Sequence, residues 1–213
     1  MDGSPTGVRR SRAWSVLVVL VTLVVSAGCQ NAGQAGRPQD ALATPAAAPE
    51  ASPAAIVERG KYLVDIGGCN DCHTPLTMGP TGPEPDMARY LSGHPADLAM
   101  PAAPSVPMPW MWVGSATNTA FAGPWGVSYA INLTPDDTGL GLWSEQVFVN
   151  AMKTGRHMGV GRPIMPPMPW PAYQNMTTED LRAMFAYLRT VQPISNQAPD
   201  GVPVEPPAGT GGN

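Results

Sequence analysis

The segment Cys69-Asn70-Asp71-Cys72-His73 limits what this chain can be more than any other. Two thiols spaced C-x-x-C, with an imidazole directly after them, match what haem c attachment needs. The thiols reach the two vinyl groups of a porphyrin, and the imidazole comes to lie beneath the iron. A zinc site would need about four ligands, and no second cysteine pair accompanies His94 or His157. A redox dithiol more often occupies a thioredoxin-like strand–helix setting. The expectation is one covalent haem c, held by Cys69 and Cys72, with His73 as an axial ligand.

Haem is attached to such motifs outside the cytoplasm, and the N-terminus reads as an export signal. Arg9, Arg10 and Arg12 precede an apolar run from Val16 to Val25, broken by Thr22, and then Ser26-Ala27-Gly28-Cys29. The small residues before Cys29 resemble a bacterial lipoprotein processing site. That predicts a signal peptide over 1–28, lipidation of Cys29, and a periplasmic or cell-surface protein anchored to the membrane by lipid. The alternative is an uncleaved anchor, for which the apolar run is short. Residues 29–54, rich in Ala, Pro, Gly and Gln, read as a flexible tether.

Only 13% of the residues are charged, while Pro (26) and Gly (23) are abundant. The net charge of -4 includes no basic stripe, which argues against a nucleic-acid partner. The folded part is expected over 55–193, with a disordered Pro/Gly-rich tail over 194–213. Helices are predicted from about Ala54 to Gly67, from Ser144 to Thr154, and after the Thr177-to-Asp180 capping pattern, where Leu181, Met184, Phe185 and Leu188 share a face. Between Thr74 and Pro135 the sequence reads as ordered loop, with one short helix near Asp86–Ser92.

A low-spin electron carrier needs a sixth iron ligand, and methionine sulfur is the usual choice. The rigid run Gly161-Arg162-Pro163-Ile164-Met165-Pro166-Pro167-Met168-Pro169-Trp170-Pro171 offers two candidates. Met168 is the first choice and Met165 the second, with His94, His157 or an open site as further alternatives. Both histidines read by default as exposed. Arg156 and Arg162 could pair with haem propionates or be plain surface charge. Trp125, Trp143 and Trp170 could line the pocket or fill the core.

These pieces resemble the class I c-type cytochromes, and most closely the cytochrome modules of bacterial alcohol and gluconate-type dehydrogenases. The matching segments are Arg59 to Leu63, Cys69 to His73, Asn132 to Asp136, Thr138 to Ser144, Met165 to Trp170, and Thr177 to Leu188. The resemblance implies an all-α cytochrome c fold. Its first and last helices would cross near Gly60, packing Tyr62 or Leu63 against Phe185 and Leu188. It implies His73 and Met168 as iron ligands, with Asn132 to Asp136 bordering the haem. Residues 79–126 would be a Pro/Gly/Trp-rich loop insertion outside the minimal fold. Such dehydrogenase components often carry three C-x-x-C-H motifs, and this chain carries one.

The function expected is one-electron transfer between a dehydrogenase and an oxidase or reductase, with no catalytic residue of its own. A haem c subunit within a dehydrogenase complex differs from that shuttle only in its partner. A haem peroxidase would want an open distal site, and a sensor would want a signalling domain.

Overall fold

The structure, a computed structural model, describes residues 51–203. The export segment, Cys29 and nearly all of the tether lie outside the described residues. The first helix, α1 (Pro53–Ile66), starts where the Ser52 side chain accepts the Ala55 amide and Pro53 presets the first helical φ. Gly68, at φ +65°, turns the chain into α2 (Cys69–His73). Further along come α3 (Glu145–Thr154), capped by Ser144, α4 (Trp170–Tyr173), and α5 (Thr178–Leu188), capped by Thr177. The sequence places the starts at Ser144 and Thr177 correctly because each cap is a local side-chain-to-amide bond.

The core forms where α1 meets α5. A methyl on Gly60 would overlap the Ala183 carbonyl, so the helices touch backbone to backbone there. Leu63 and Val64 pack with Leu181, Met184, Phe185 and Leu188. From α3, Phe148 meets the Phe185 ring at 5.4 Å between centroids. Of the two residues expected at the crossing, Leu63 is buried, whereas Tyr62 is exposed beside Arg59.

The all-α expectation is overturned. About a third of the described residues are helical (33%), but 14% are strand, in two antiparallel sheets. One is the hairpin β1 (Leu76–Gly79) with β2 (Gly82–Pro85). The other has the order β3 (Val113–Gly114), β4 (Ala120–Gly123), β5 (Gly126–Tyr129), β6 (Val202–Pro203). Gly-Pro-x-Gly recurs at 79–82 and 123–126, and each copy closes a two-residue hairpin turn. Proline presets the second position of such a turn, and the closing glycines adopt φ of +133° and +101°. The stretch from Thr74 to Pro135 is therefore partly sheet, and its expected short helix is a 3₁₀ turn over Met87–Arg89.

The segment 194–203 is not a loose tail. Asn196 donates to the carbonyls of Ser92 (2.7 Å) and His94 (2.9 Å) and accepts the Ala96 amide (2.8 Å). Asn132 donates to the Ile194 carbonyl at 2.7 Å. The strap so fastened ends in β6, paired with β5. Polar side chains saturate its backbone, which a reading based on Pro/Gly content does not register.

Candidate haem site

Because α2 is a single turn, Cys69, Cys72 and His73 project together, and all three line one cavity of about 430 Å³. That volume lies within the range of about 300–1,000 Å³ typical of small-molecule and cofactor sites. Loop contacts hold the middle and the C-terminal end of α2. The Gly93 amide donates to the His73 carbonyl (2.7 Å), and Asn118 Nδ2 donates to the Asp71 carbonyl (2.7 Å). Just ahead of the motif, the Tyr173 hydroxyl donates to the Gly67 carbonyl at 2.5 Å. Burial pushes that phenol up to about 12, so it stays a donor at neutral pH.

His73 is buried, and its Nδ1 donates to the Ile131 carbonyl at 2.7 Å. This bond fixes the tautomer and leaves the Nε2 lone pair available, as in metal-bound histidines held by a backbone carbonyl. Burial lowers the imidazole pKa, which also keeps the ring neutral and able to coordinate. The thiols behave oppositely to a redox pair. Burial pushes Cys69 up to about 12 and raises Cys72 as well, whereas dithiol catalysts depress a cysteine pKa.

The methionine run reaches the same cavity. Met165 and Met168 both line the cavity. Met168 packs on the helical core together with Cys69 and Leu133. Met165 instead lies against the strap at Gly201. Two soft thioethers, a neutral imidazole and two thiols around one cavity form a donor set that fits an iron porphyrin. Apolar side chains, among them Leu140, Phe148 and Met184, supply much of the remaining lining.

Other expected residues divide between site and scaffold. Arg162 lines the cavity, 3.6 Å from Asp200, whereas Arg156 is turned to the Gly161 carbonyl. Trp143 lines the cavity and meets His157 edge to face at 5.3 Å. Trp125 folds back on Gly123, and Trp170 covers Gly155. His94, expected at the surface, is fully buried. Asn132 reaches the strap, while its neighbours Ile131 and Leu133 face the cavity. Sequence reading missed Trp112, Phe121, Ser128 and Tyr129, which the sheet brings to the wall. The Gly-Pro-x-Gly repeat was the available signal for that sheet, and nothing local signals the role of Tyr173.

No known protein-family model matches the chain. A nicotinate dehydrogenase component from Pseudomonas putida is 31% identical over 68% of this chain and 9% of its own length. The cytochrome c subunit of Gluconobacter oxydans quinone alcohol dehydrogenase is 27% identical over 68% of the chain and 24% of its own. The cytochrome c subunit of Pantoea cypripedii gluconate 2-dehydrogenase is 30% identical over 68% and 26%. The chain thus spans about a quarter or less of the length of these relatives. With a C-x-x-C-H turn, a carbonyl-fixed histidine and a methionine wall around one cavity, the chain is a homologue of the cytochrome c subunits of bacterial dehydrogenases.

Proposed function

We propose that this protein carries single electrons on one covalently attached haem c, accepting them from a dehydrogenase and passing them to an oxidase or reductase. The observation that carries this reading is the neutral His73, anchored through Nδ1 to Ile131, in the same cavity as Cys69, Cys72 and Met168. Haem bound there supplies a ferric–ferrous couple. Cys69 and Cys72 would hold the ring through thioethers, and His73 Nε2 would ligate the iron. Met168 would be the second ligand, a choice supported by its packing against the helical core and by the Met-Pro-aromatic match, with Met165 as second choice. Methionine raises the reduction potential above that of a bis-imidazole site. Arg162, on the cavity wall, is placed to neutralise a propionate. The relatives' names, cytochrome subunits of dehydrogenases, support an electron-transfer role rather than a catalytic one.

The same proposal places the protein outside the cytoplasm, tied to the membrane by lipid on Cys29. A tether of this kind raises the effective concentration of the haem domain near membrane partners.

The test is expression with haem maturation, followed by porphyrin staining on a denaturing gel and spectra of the wild type, Met168→Ala and Met165→Ala. Stain at the position of the polypeptide and loss of the sulfur-to-iron charge-transfer band in Met168→Ala alone are expected. Loss in Met165→Ala alone moves the ligand to Met165. A colourless band removes the electron-carrier reading altogether. Carbon monoxide binding to the wild-type ferrous protein would favour the peroxidase alternative.

A further inference from the structure

The small sheet and the strap touch the methionine run at two points outside the proposed ligand set. From β5, the Ser128 hydroxyl donates to the Pro166 carbonyl at 2.6 Å, directly after Met165 and two residues before Met168. From the strap, Gly201 lies against Met165 so closely that an added methyl would come 2.8 Å from its Sδ. The same methyl would lie 3.1 Å from the Val127 carbonyl oxygen, so β5, the strap and Met165 meet at one point. The two contacts are built together, because β6 follows Gly201 directly and pairs with β5 through Val127 and Val202. The strap is latched at its other end by Asn196.

We infer that the small sheet, in which β5 follows the 79–126 insertion and pairs with the strap, positions the methionine run, with Ser128 and Gly201 as the positioning residues. Ser128 fixes the height of the loop at Pro166. Gly201, lacking a side chain, gives Met165 a seat beside the strap and so leaves Met168 to face the iron. Pro166 and Pro167 stiffen the segment between the two methionines, so a push on Met165 carries to Met168 rather than dissipating. On this view β5 and the strap belong to the electron-transfer site, because they set how firmly the thioether is held.

This inference rests on the haem reading above, and the experiment separates the two. Ser128→Ala, Ser128→Thr, Gly201→Ala and the double variant Gly201→Ala with Met165→Ala are made in the full-length chain and loaded with haem. Ser128→Ala and Gly201→Ala should weaken or lose the charge-transfer band and lower the midpoint potential, because methionine ligation raises it. They should also bind added imidazole at the ferric iron about tenfold more tightly, an effect of about 1.4 kcal/mol. Ser128→Thr keeps the hydroxyl and should retain the wild-type band. The double variant relieves the conflict at the sulfur and should regain it. Wild-type band and potential in both Ser128→Ala and Gly201→Ala, with porphyrin present on the gel, overturns this inference and leaves the carrier reading standing. If Gly201→Ala fails to load haem, Ser128→Ala against Ser128→Thr decides alone. A wild type without porphyrin defeats the carrier reading itself.

Discussion

His94 has no solvent contact, and its two ring nitrogens are spent on the Thr119 hydroxyl (2.8 Å) and the Leu98 carbonyl (3.2 Å). Burial keeps the ring neutral, so with Nε2 donating to the Leu98 carbonyl, Nδ1 accepts from the Thr119 hydroxyl. Tyr129 packs on it at 4.9 Å, and neither ring nitrogen meets a carboxylate. Burial lowers its pKa below the ordinary 6.5. As pH falls below about 6.5, the unfolded chain takes up a proton that the folded chain refuses, so this contribution is present above that pH and lost beneath it. The slope from one such group is at most about 1.4 kcal/mol per pH unit. His94→Gln should therefore lower stability at neutral pH by about 1–3 kcal/mol, through disturbed buried hydrogen bonds, and flatten the fall below pH 6.5. Denaturant unfolding across pH 5–8 checks both parts, and identical slopes in the two proteins would refute the assignment. Sequence could not separate this histidine from an exposed one, because its partners Thr119 and Tyr129 lie 25 and 35 positions away.

At the scale of elements, the helix crossing is the feature that permits least change. The backbones of α1 and α5 come together at Gly60, where the obstacle to a side chain is a carbonyl rather than a flexible tip. Gly60→Ala forces the helices apart and loosens Leu63 and Val64 against Leu181 and Leu188. Overpacking of this kind costs about 1–3 kcal/mol or more. It should lower the denaturation midpoint, whereas Ala54→Gly, on the exposed first turn of α1, should cost only about 1 kcal/mol or less. Equal effects would mean that Gly60 is not a contact point. The helices were legible in sequence because caps and apolar periodicity are local. Strands β4 and β5 were not, because Ala120, Phe121 and Ala122 are buried in succession and show no alternation. The strap was illegible for another reason: the carbonyls that Asn196 binds are 102 and 104 positions away.

For the whole molecule, the consequential fact is that the cavity cuts into the main core. Leu140, Phe148, Met184 and Leu188 belong to that core and also line the cavity. Apolar side chains of the core thus form walls of the cavity, and apolar surface that is not covered forgoes roughly 25 cal/mol per Å². Total stabilities are only about 5–15 kcal/mol, so a group covering these walls would weigh heavily in the balance. On the proposed reading, a haem seated there would be part of the hydrophobic core, in keeping with a fold that has so much loop between its helices. Cys69 and Cys72 would then be structural staples as much as cofactor ligands. Cys69→Ala with Cys72→Ala, purified without haem, should keep part of its helical far-ultraviolet signal and lose near-ultraviolet signal and cooperative melting. It should also bind a hydrophobic dye. A sharp thermal transition in this variant, close to that of the haem-loaded protein, would show that α1, α3 and α5 suffice without the group between them. The proposed lipid anchor is a separate matter that fractionation resolves: Cys29→Ser should leave the membrane fraction while its haem spectrum stays that of the wild type. The cavity walls are drawn from residues between Gly67 and Gly201, far along the chain from Cys29, so anchoring and redox chemistry should separate cleanly in these two variants.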